Sequence, residues 1–180
     1  RDKDFRLGFL PGTGTTDDPY VIRTIEDLDL LIPCPHEQDK QFRLGFLAGK
    51  GTPENPYELH IANEVDFLGR CPYERSAHFV LLADIDLSGF DGKDGRPAMH
   101  TIAFFAGIFD GNGHTISHLT VRSSGLFDQL MSGAEVKDLA VVDVNISGAK
   151  FVGGLVGKND GTLIRCHVAG EIDGGGFVGG

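Results

Sequence analysis

The sequence of 180 residues predicts a mostly β fold, namely a parallel β-solenoid preceded by tandem strand–turn–short-helix units. The main observation is internal repetition, at a shift of 37 residues in the first half and of 26 residues in the second half. Glycine supplies 26 of the 180 residues without a collagen-like period, which is typical of tight turns between short strands.

The 37-residue repeat has several separate landmarks. Segment 2–10 returns as segment 39–47, and Asp18-Pro19-Tyr20 returns as Asn55-Pro56-Tyr57. Each unit opens with an alternating strand, passes through a Gly/Thr/Pro turn and ends in a short amphipathic helix. In the second unit the predicted strand face is Phe42, Leu44 and Phe46, and the predicted helix face is Ile61, Val65 and Leu68.

A third unit opens at residue 79 and introduces the solenoid. Its alternation predicts one strand with Phe79, Leu81, Ala83, Ile85 and Leu87 on a single face. We therefore divide the chain into two leader units at 1–78 and a β-helix at 79–180 that we expect to continue beyond Gly180.

The 26-residue repeat carries Phe151-Val152-Gly153-Gly154 onto Phe177-Val178-Gly179-Gly180. Short alternating strands lie between the copies, which predicts stacked rungs that bury their apolar faces only against one another. The alternation places Ile164, Cys166 and Val168 on the inward face, and a buried, inert thiol is the expected role of Cys166.

Net charge argues against a nucleic-acid partner, and the length of the apolar runs argues against a membrane-spanning helix. The net charge is −10, with 26 acidic and 16 basic side chains, so the chain lacks the basic composition typical of a nucleic-acid-binding protein. No apolar run approaches the ~20 residues of a membrane-spanning helix.

Several motifs together resemble the bacterial GLUG-motif repeat proteins over residues 39–180. They are the segments 109–116, 125–127 and 152–157, preceded by Gly51–Tyr57 and Ala83–Leu87. The resemblance implies a right-handed parallel β-helix in large exported proteins, and it implies no catalytic residues.

The acidic residues Asp84, Asp86 and Asp110, with His114, are the candidate catalytic group. Enzymes that cleave glycosidic bonds use paired carboxylates as acid and as base or nucleophile. The alternative is that Asp84 and Asp86 are solvated strand positions and that Asp110 caps its own turn. We favour the alternative and expect no enzymatic activity.

Two further sites are candidates. Asp84, Asp86, Asp91 and Asp94 could together bind calcium, which takes several oxygen ligands, although segment 91–95 also fits an ordinary turn. Cys34 and Cys71 occupy equivalent repeat positions, so they are either a disulfide or two separate thiols in proline-rich turns.

These observations predict a non-catalytic structural module of a secreted or cell-surface protein that self-assembles into a filament or layer. The expected partners are copies of itself, neighbouring repeats and extracellular glycans. One alternative is a carbohydrate-binding or adhesive module, in which Tyr20, Tyr57 and Tyr73 stack on sugars. Another is a polysaccharide lyase or hydrolase that uses the aspartate group.

Overall fold

A computed structural model describes residues 10–15, 17–23, 42–69 and 76–179, which form a parallel β-solenoid of about five turns. The strands are β1 (Tyr20–Ile22), β2 (Phe42–Leu44), β3 (Tyr57–Leu59), β4 (Phe79–Leu81), β5 (Ile85–Asp86), β6 (Ile108–Asp110), β7 (Thr115–Ser117), β8 (Thr120–Val121), β9 (Phe127–Leu130), β10 (Glu135–Lys137), β11 (Ala140–Gly148), β12 (Val152–Gly153), β13 (Val156–Asn159), β14 (Thr162–Ile164), β15 (His167–Gly174) and β16 (Val178–Gly179). One α-helix, α1 (Ala62–Phe67), and one 3-10 turn (Ser88–Phe90) complete the described elements.

Two long sheets run along the stack. Sheet I has the strand order β14-β10-β6-β4-β3, and sheet II has the order β15-β11-β7-β5, with β8 also pairing with β11. The third side of each turn is built from β9 and β13, and β12 pairs with β16. Glu135 pairs in parallel with both Ile108 and Thr162, each 27 residues away, so one turn of the solenoid takes about this much chain.

The 37-residue repeat is a repeat of structure. Strand β1 pairs with β2 through Tyr20 and Phe42, and β3 pairs with β4 through Tyr57 and Phe79, which is the same pairing shifted by 37 residues. Because β3 is also the edge strand of sheet I, the second leader unit joins the solenoid stack before residue 79.

A glycine holds each leader turn closed. Gly49 has φ +94, and a Cβ there would lie 2.0 Å from the carbonyl oxygen of Pro56. Gly12, one repeat earlier, has φ +100 and the same close approach to Pro19, at 2.2 Å. No amino acid other than glycine adopts this backbone conformation readily and also fits where there is no space for a Cβ.

The core contains a column of aromatic rings. Tyr57 contacts Phe79, Phe79 contacts Phe105, and Phe105 contacts Phe127, with ring centroids 5.3 to 6.1 Å apart. All four residues are at most 3% exposed. The column connects the second leader unit, which contains Tyr57, with β9, which contains Phe127.

Helix α1 covers the leader end of this core. Val65 and Leu68 are buried, and the ring of Phe67 packs edge-on against Phe46 at 5.0 Å. The prediction that Ile61 shares this face is wrong, since Ile61 precedes the helix and is 55% exposed. The first unit's predicted helix lies outside the described residues.

One predicted strand is divided and one predicted strand phase fails, in each case at a corner, although the predicted inward residues Phe79, Leu81, Ile85 and Leu87 are all buried. The strand predicted over 79–87 is two strands, β4 in sheet I and β5 in sheet II, with an exposed corner between them. Ile164 pairs with the outward Lys137, whereas its neighbour Leu163 pairs with the buried Val136. The turn at Arg165, with φ +50, resets the alternation before Val168.

Candidate functional site

Asp84 lies directly before β5 of sheet II and is held by the next rung. The backbone N–H of Thr115 donates to Oδ1 of Asp84 at 2.9 Å, and Nδ1 of His114 lies 3.1 Å from the same oxygen. These hydrogen bonds lower the pKa of Asp84, the one from the Thr115 backbone most strongly. Asp84 therefore remains a carboxylate and ties two rungs together.

Asp86, the last residue of β5, also contacts a histidine of the next rung. Its Oδ1 accepts the backbone N–H of Ser88 at 2.9 Å, which is the first cause of its lowered pKa. Nδ1 of His118 lies 3.0 Å from this oxygen, and Nε2 of His118 lies 3.9 Å from Asp143 of the following rung. A row of alternating acid and imidazole thus crosses three rungs.

Asp110 has a different set of partners. Its Oδ1 accepts the backbone N–H of Asn112 at 2.8 Å, and its Oδ2 lies 3.5 Å from Nζ of Lys137. The structure thus brings His114 to Asp84 as a contact, and places Asp110 with Lys137 instead. The turn-capping role that the sequence suggested for Asp110 is the one its hydrogen bond shows.

The other half of the predicted calcium site lies in the loop after the 3-10 turn. Arg96 donates to both carboxylate oxygens of Asp91, at 2.8 and 2.6 Å, and lowers its pKa to about 2. Asp94 lies 3.7 Å from the same guanidinium. Among the described residues no three His, Cys, Asp or Glu side chains form a group that could hold a metal ion. The calcium site remains a prediction, and Arg96 is the cation that the structure places there.

The corners between sheets I and II are polar and left-handed. Asn112, Asp138 and Arg165 all have φ between +50 and +52 and lie at the corner between sheets I and II in successive rungs. Arg165 donates to both carboxylate oxygens of Asp138, at 2.5 and 2.8 Å. Asn and Asp adopt the left-handed region more readily than most residues, so Asp-Gly-Asn-Gly at 110–113 was a usable signal, whereas Arg165 gave none.

A buried carboxylate was also missed. Asp66 of α1 is 1% exposed and accepts hydrogen bonds from the backbone N–H of His100 at 2.8 Å, with Nδ1 of that residue at 2.9 Å. The contact ties the helix to the segment between the 3-10 turn and β6. In the sequence Asp66 looked like a polar position of an amphipathic helix.

The remaining candidates divide into three outcomes. Cys34, Cys71 and Tyr73 lie outside the described residues, so the disulfide remains a prediction. Tyr57 is 3% exposed, and its hydroxyl accepts the backbone N–H of Leu44 at 3.2 Å, so sugar stacking on this residue is wrong. Cys166 is half-buried against the core, and burial raises the pKa of its thiol, which fits an unreactive side chain.

In the part of the chain that the structure describes, no helix is long and apolar enough to cross a membrane.

Comparison with known proteins supports the repeat architecture. No family model matches the chain, so the GLUG resemblance remains a prediction. The sequence is 33% identical over 114 residues to Halomucin of Haloquadratum walsbyi, in a match that covers 57% of this chain and 1% of Halomucin. The fold is similar to a crystal structure of a candidate immunoglobulin A1 protease from Bacteroides ovatus, with a TM-score of 0.55, 21% identity, and coverage of 71% of this chain and 42% of that one. The chain thus has the fold of a parallel β-solenoid and resembles a small part of a far longer protein.

Proposed function

We propose that the chain is a non-catalytic structural module of a secreted or surface-displayed repeat protein, in which it forms a stiff spacer. The observation that carries this proposal is the continuous parallel register. Five strands of sheet I and four of sheet II stack in one direction over an apolar interior. Such a stack grows in length by adding rungs and gains no cleft by doing so.

The aspartate chemistry supports the non-catalytic proposal. A glycosidase needs one carboxyl group whose pKa is raised, so that it can donate a proton to the leaving group. The hydrogen bonds from Thr115 and Ser88 instead lower the pKa of Asp84 and Asp86. We therefore expect both to act as hydrogen-bond acceptors between rungs.

The location outside the cell is inferred from the likeness to Halomucin, whose name is that of a mucin, and from the solenoid fold. Self-assembly is part of the same proposal, because contacts between solenoids that do not close on themselves build filaments. In electron micrographs of the native material we expect filaments or layers. Dispersed particles over a wide concentration range would remove assembly from the proposal.

A turnover assay tests the non-catalytic proposal. The chain would be incubated with a panel of polysaccharides and with immunoglobulin A1, and new reducing ends and new peptide fragments would be measured. We expect neither product. Cleavage that disappears in Asp84→Asn or Asp86→Asn would show instead that the aspartates are catalytic and that the structural proposal is wrong.

A further inference from the structure

Two phenylalanines form an exposed ridge on the side of the solenoid. Phe151 and Phe177 are 50% and 75% exposed, and their rings stack at 5.5 Å with an interplanar angle of 10°. They precede the paired residues Val152 and Val178 of β12 and β16, so they occupy equivalent positions in consecutive rungs. We call this pair the phenylalanine ridge.

The ridge stands on a loop that the preceding rung lacks. The backbone N–H of Gly153 donates to the carbonyl oxygen of Ser124 at 2.7 Å, and Gly148 packs against the carbonyl of Ser123. Four residues therefore separate Gly148 from Gly153 where Ser123 and Ser124 are adjacent. The extra chain carries the phenylalanine outward.

The loop backbone is held in an unfavourable conformation. Phe151 has φ +45, a left-handed conformation that bulky side chains rarely adopt and that costs on the order of 1–3 kcal/mol. The next copy of the loop fits closely, since a Cβ at Gly176 would lie 3.1 Å from the carbonyl oxygen of Ala149. Core packing does not require this arrangement, because both rings face solvent.

Unpaired positive charge accompanies the ridge. Lys150 is exposed and directly precedes Phe151, and Arg122 is exposed and directly precedes Ser123 beneath the loop. Neither cation makes an ion pair or side-chain hydrogen bond with another described residue, in a chain whose net charge is −10. The ridge thus combines aromatic surface with cations that are free to bind an anion.

We propose that the phenylalanine ridge, with Lys150 and Arg122, binds an acidic polysaccharide of the uronate class. The C–H face of a pyranose ring packs on aromatic carbon, whose ring face is electron-rich, and the carboxylate of a uronate pairs with guanidinium or ammonium. The surface of two side chains is far smaller than the ~800 Å² per partner that a stable protein interface buries. It is about the size of a few sugar rings. This goes beyond the spacer role, since it assigns a ligand to the module.

Affinity electrophoresis with polygalacturonate tests the proposal on the whole chain. We expect polygalacturonate in the gel to retard the protein and neutral dextran to have no effect. The double variant F151A/F177A should weaken binding by tenfold or more, and Lys150→Gln with Arg122→Gln should weaken it and reduce its salt dependence. Thermal unfolding of each variant shows whether it is folded.

Phe104 supplies the matched control. It is also exposed, at 47%, and also left-handed, with φ +51, but it precedes Phe105, which pairs with Leu130 and not with β12 or β16. Phe104→Ala should leave the affinity for polygalacturonate unchanged. The proposal is overturned if the wild-type chain is not retarded, or if Phe104→Ala and F151A/F177A lose the same affinity. It is also overturned if the ridge variant only abolishes self-association, because the occupant would then be a second copy.

Discussion

Phenylalanine serves opposite purposes in two regions of this molecule. In the core column, Phe79, Phe105 and Phe127 are at most 1% exposed, and successive ring centroids lie 5.3 to 6.1 Å apart. In the phenylalanine ridge, the rings stack at 5.5 Å with half or more of their surface in water. Ring-to-ring contact is thus common to both, but the core rings are tilted at 45° and 48° and buried, whereas the ridge rings are stacked at 10° and exposed. The core column is expected to determine stability, and the ridge is expected to determine binding.

The largest effect is expected from truncating the column. Phe105 is fully buried between Phe79 and Phe127, so Phe105→Ala leaves a cavity and should lower the free energy of unfolding by about 3–5 kcal/mol. Phe151→Ala removes only an exposed ring contact and should cost less than about 1 kcal/mol. Urea unfolding measures both. Equal losses would mean that the ridge is part of the folding core.

The leader turns offer a backbone version of the same comparison. Gly49→Ala brings a Cβ to 2.0 Å from the Pro56 carbonyl at φ +94, which should cost at least the ~1–3 kcal/mol of a strained residue. Gly89 has no neighbouring atom within 4 Å and no positive φ, so Gly89→Ala should change stability by less than about 0.5 kcal/mol. Thermal unfolding of both variants is the measurement, and a stable Gly49→Ala protein would show that the leader turn can open.

A smaller effect is expected where the column meets the leader. The hydroxyl of the buried Tyr57 accepts the backbone N–H of Leu44, and Tyr57→Phe keeps the ring while leaving that donor without its partner. The loss should be about 1–3 kcal/mol, with the packing of the ring on Phe79 unchanged. Unaltered stability in urea would mean that water reaches the Leu44 amide.

These comparisons also show what the sequence could and could not predict. The shift of 26 residues correctly predicted that Val152 and Val178 lie in equivalent, stacked positions. The shift of 37 residues predicted a repeated unit, but not the strands β1 and β3 that pair with β2 and β4 in each copy. The corners were not predictable, because hydrophobic alternation runs unbroken through residues 79–87 while the chain changes sheets. A Phe in the Phe-Val-Gly-Gly motif has the same apolar character as one in the core, so the pattern could not reveal that Phe151 faces solvent.

The candidate site was predicted less completely than the fold. Asp84 and Asp86 were correctly expected to be exposed, although only Asp86 lies in a strand and Asp84 lies in the corner before it. Their contacts with His114 and His118 join residues about thirty positions apart. Spacing along the chain does not reveal such contacts until the turn length of the solenoid is known. The ion pair of Arg96 with Asp91 is local, and its loop was interpreted only as a turn or a calcium ligand.

The smallest predicted effect on stability concerns the ion pair of Arg96 with Asp91, which lies at the surface and contains no aromatic ring. Arg96 lowers the pKa of Asp91 from 3.8 to about 2. A lowered pKa in the folded state stabilises the protein above the unfolded value, and this contribution is lost as the pH falls from about 3.8 through about 2. Carboxyl NMR titration should give a midpoint near 2 for Asp91 and a higher one, towards 3.8, in Arg96→Gln.

Because the pair is exposed, the stability of Arg96→Gln at neutral pH should change little. A shift of the wild-type Asp91 signal on adding calcium would show instead that the metal competes with Arg96 for this carboxylate.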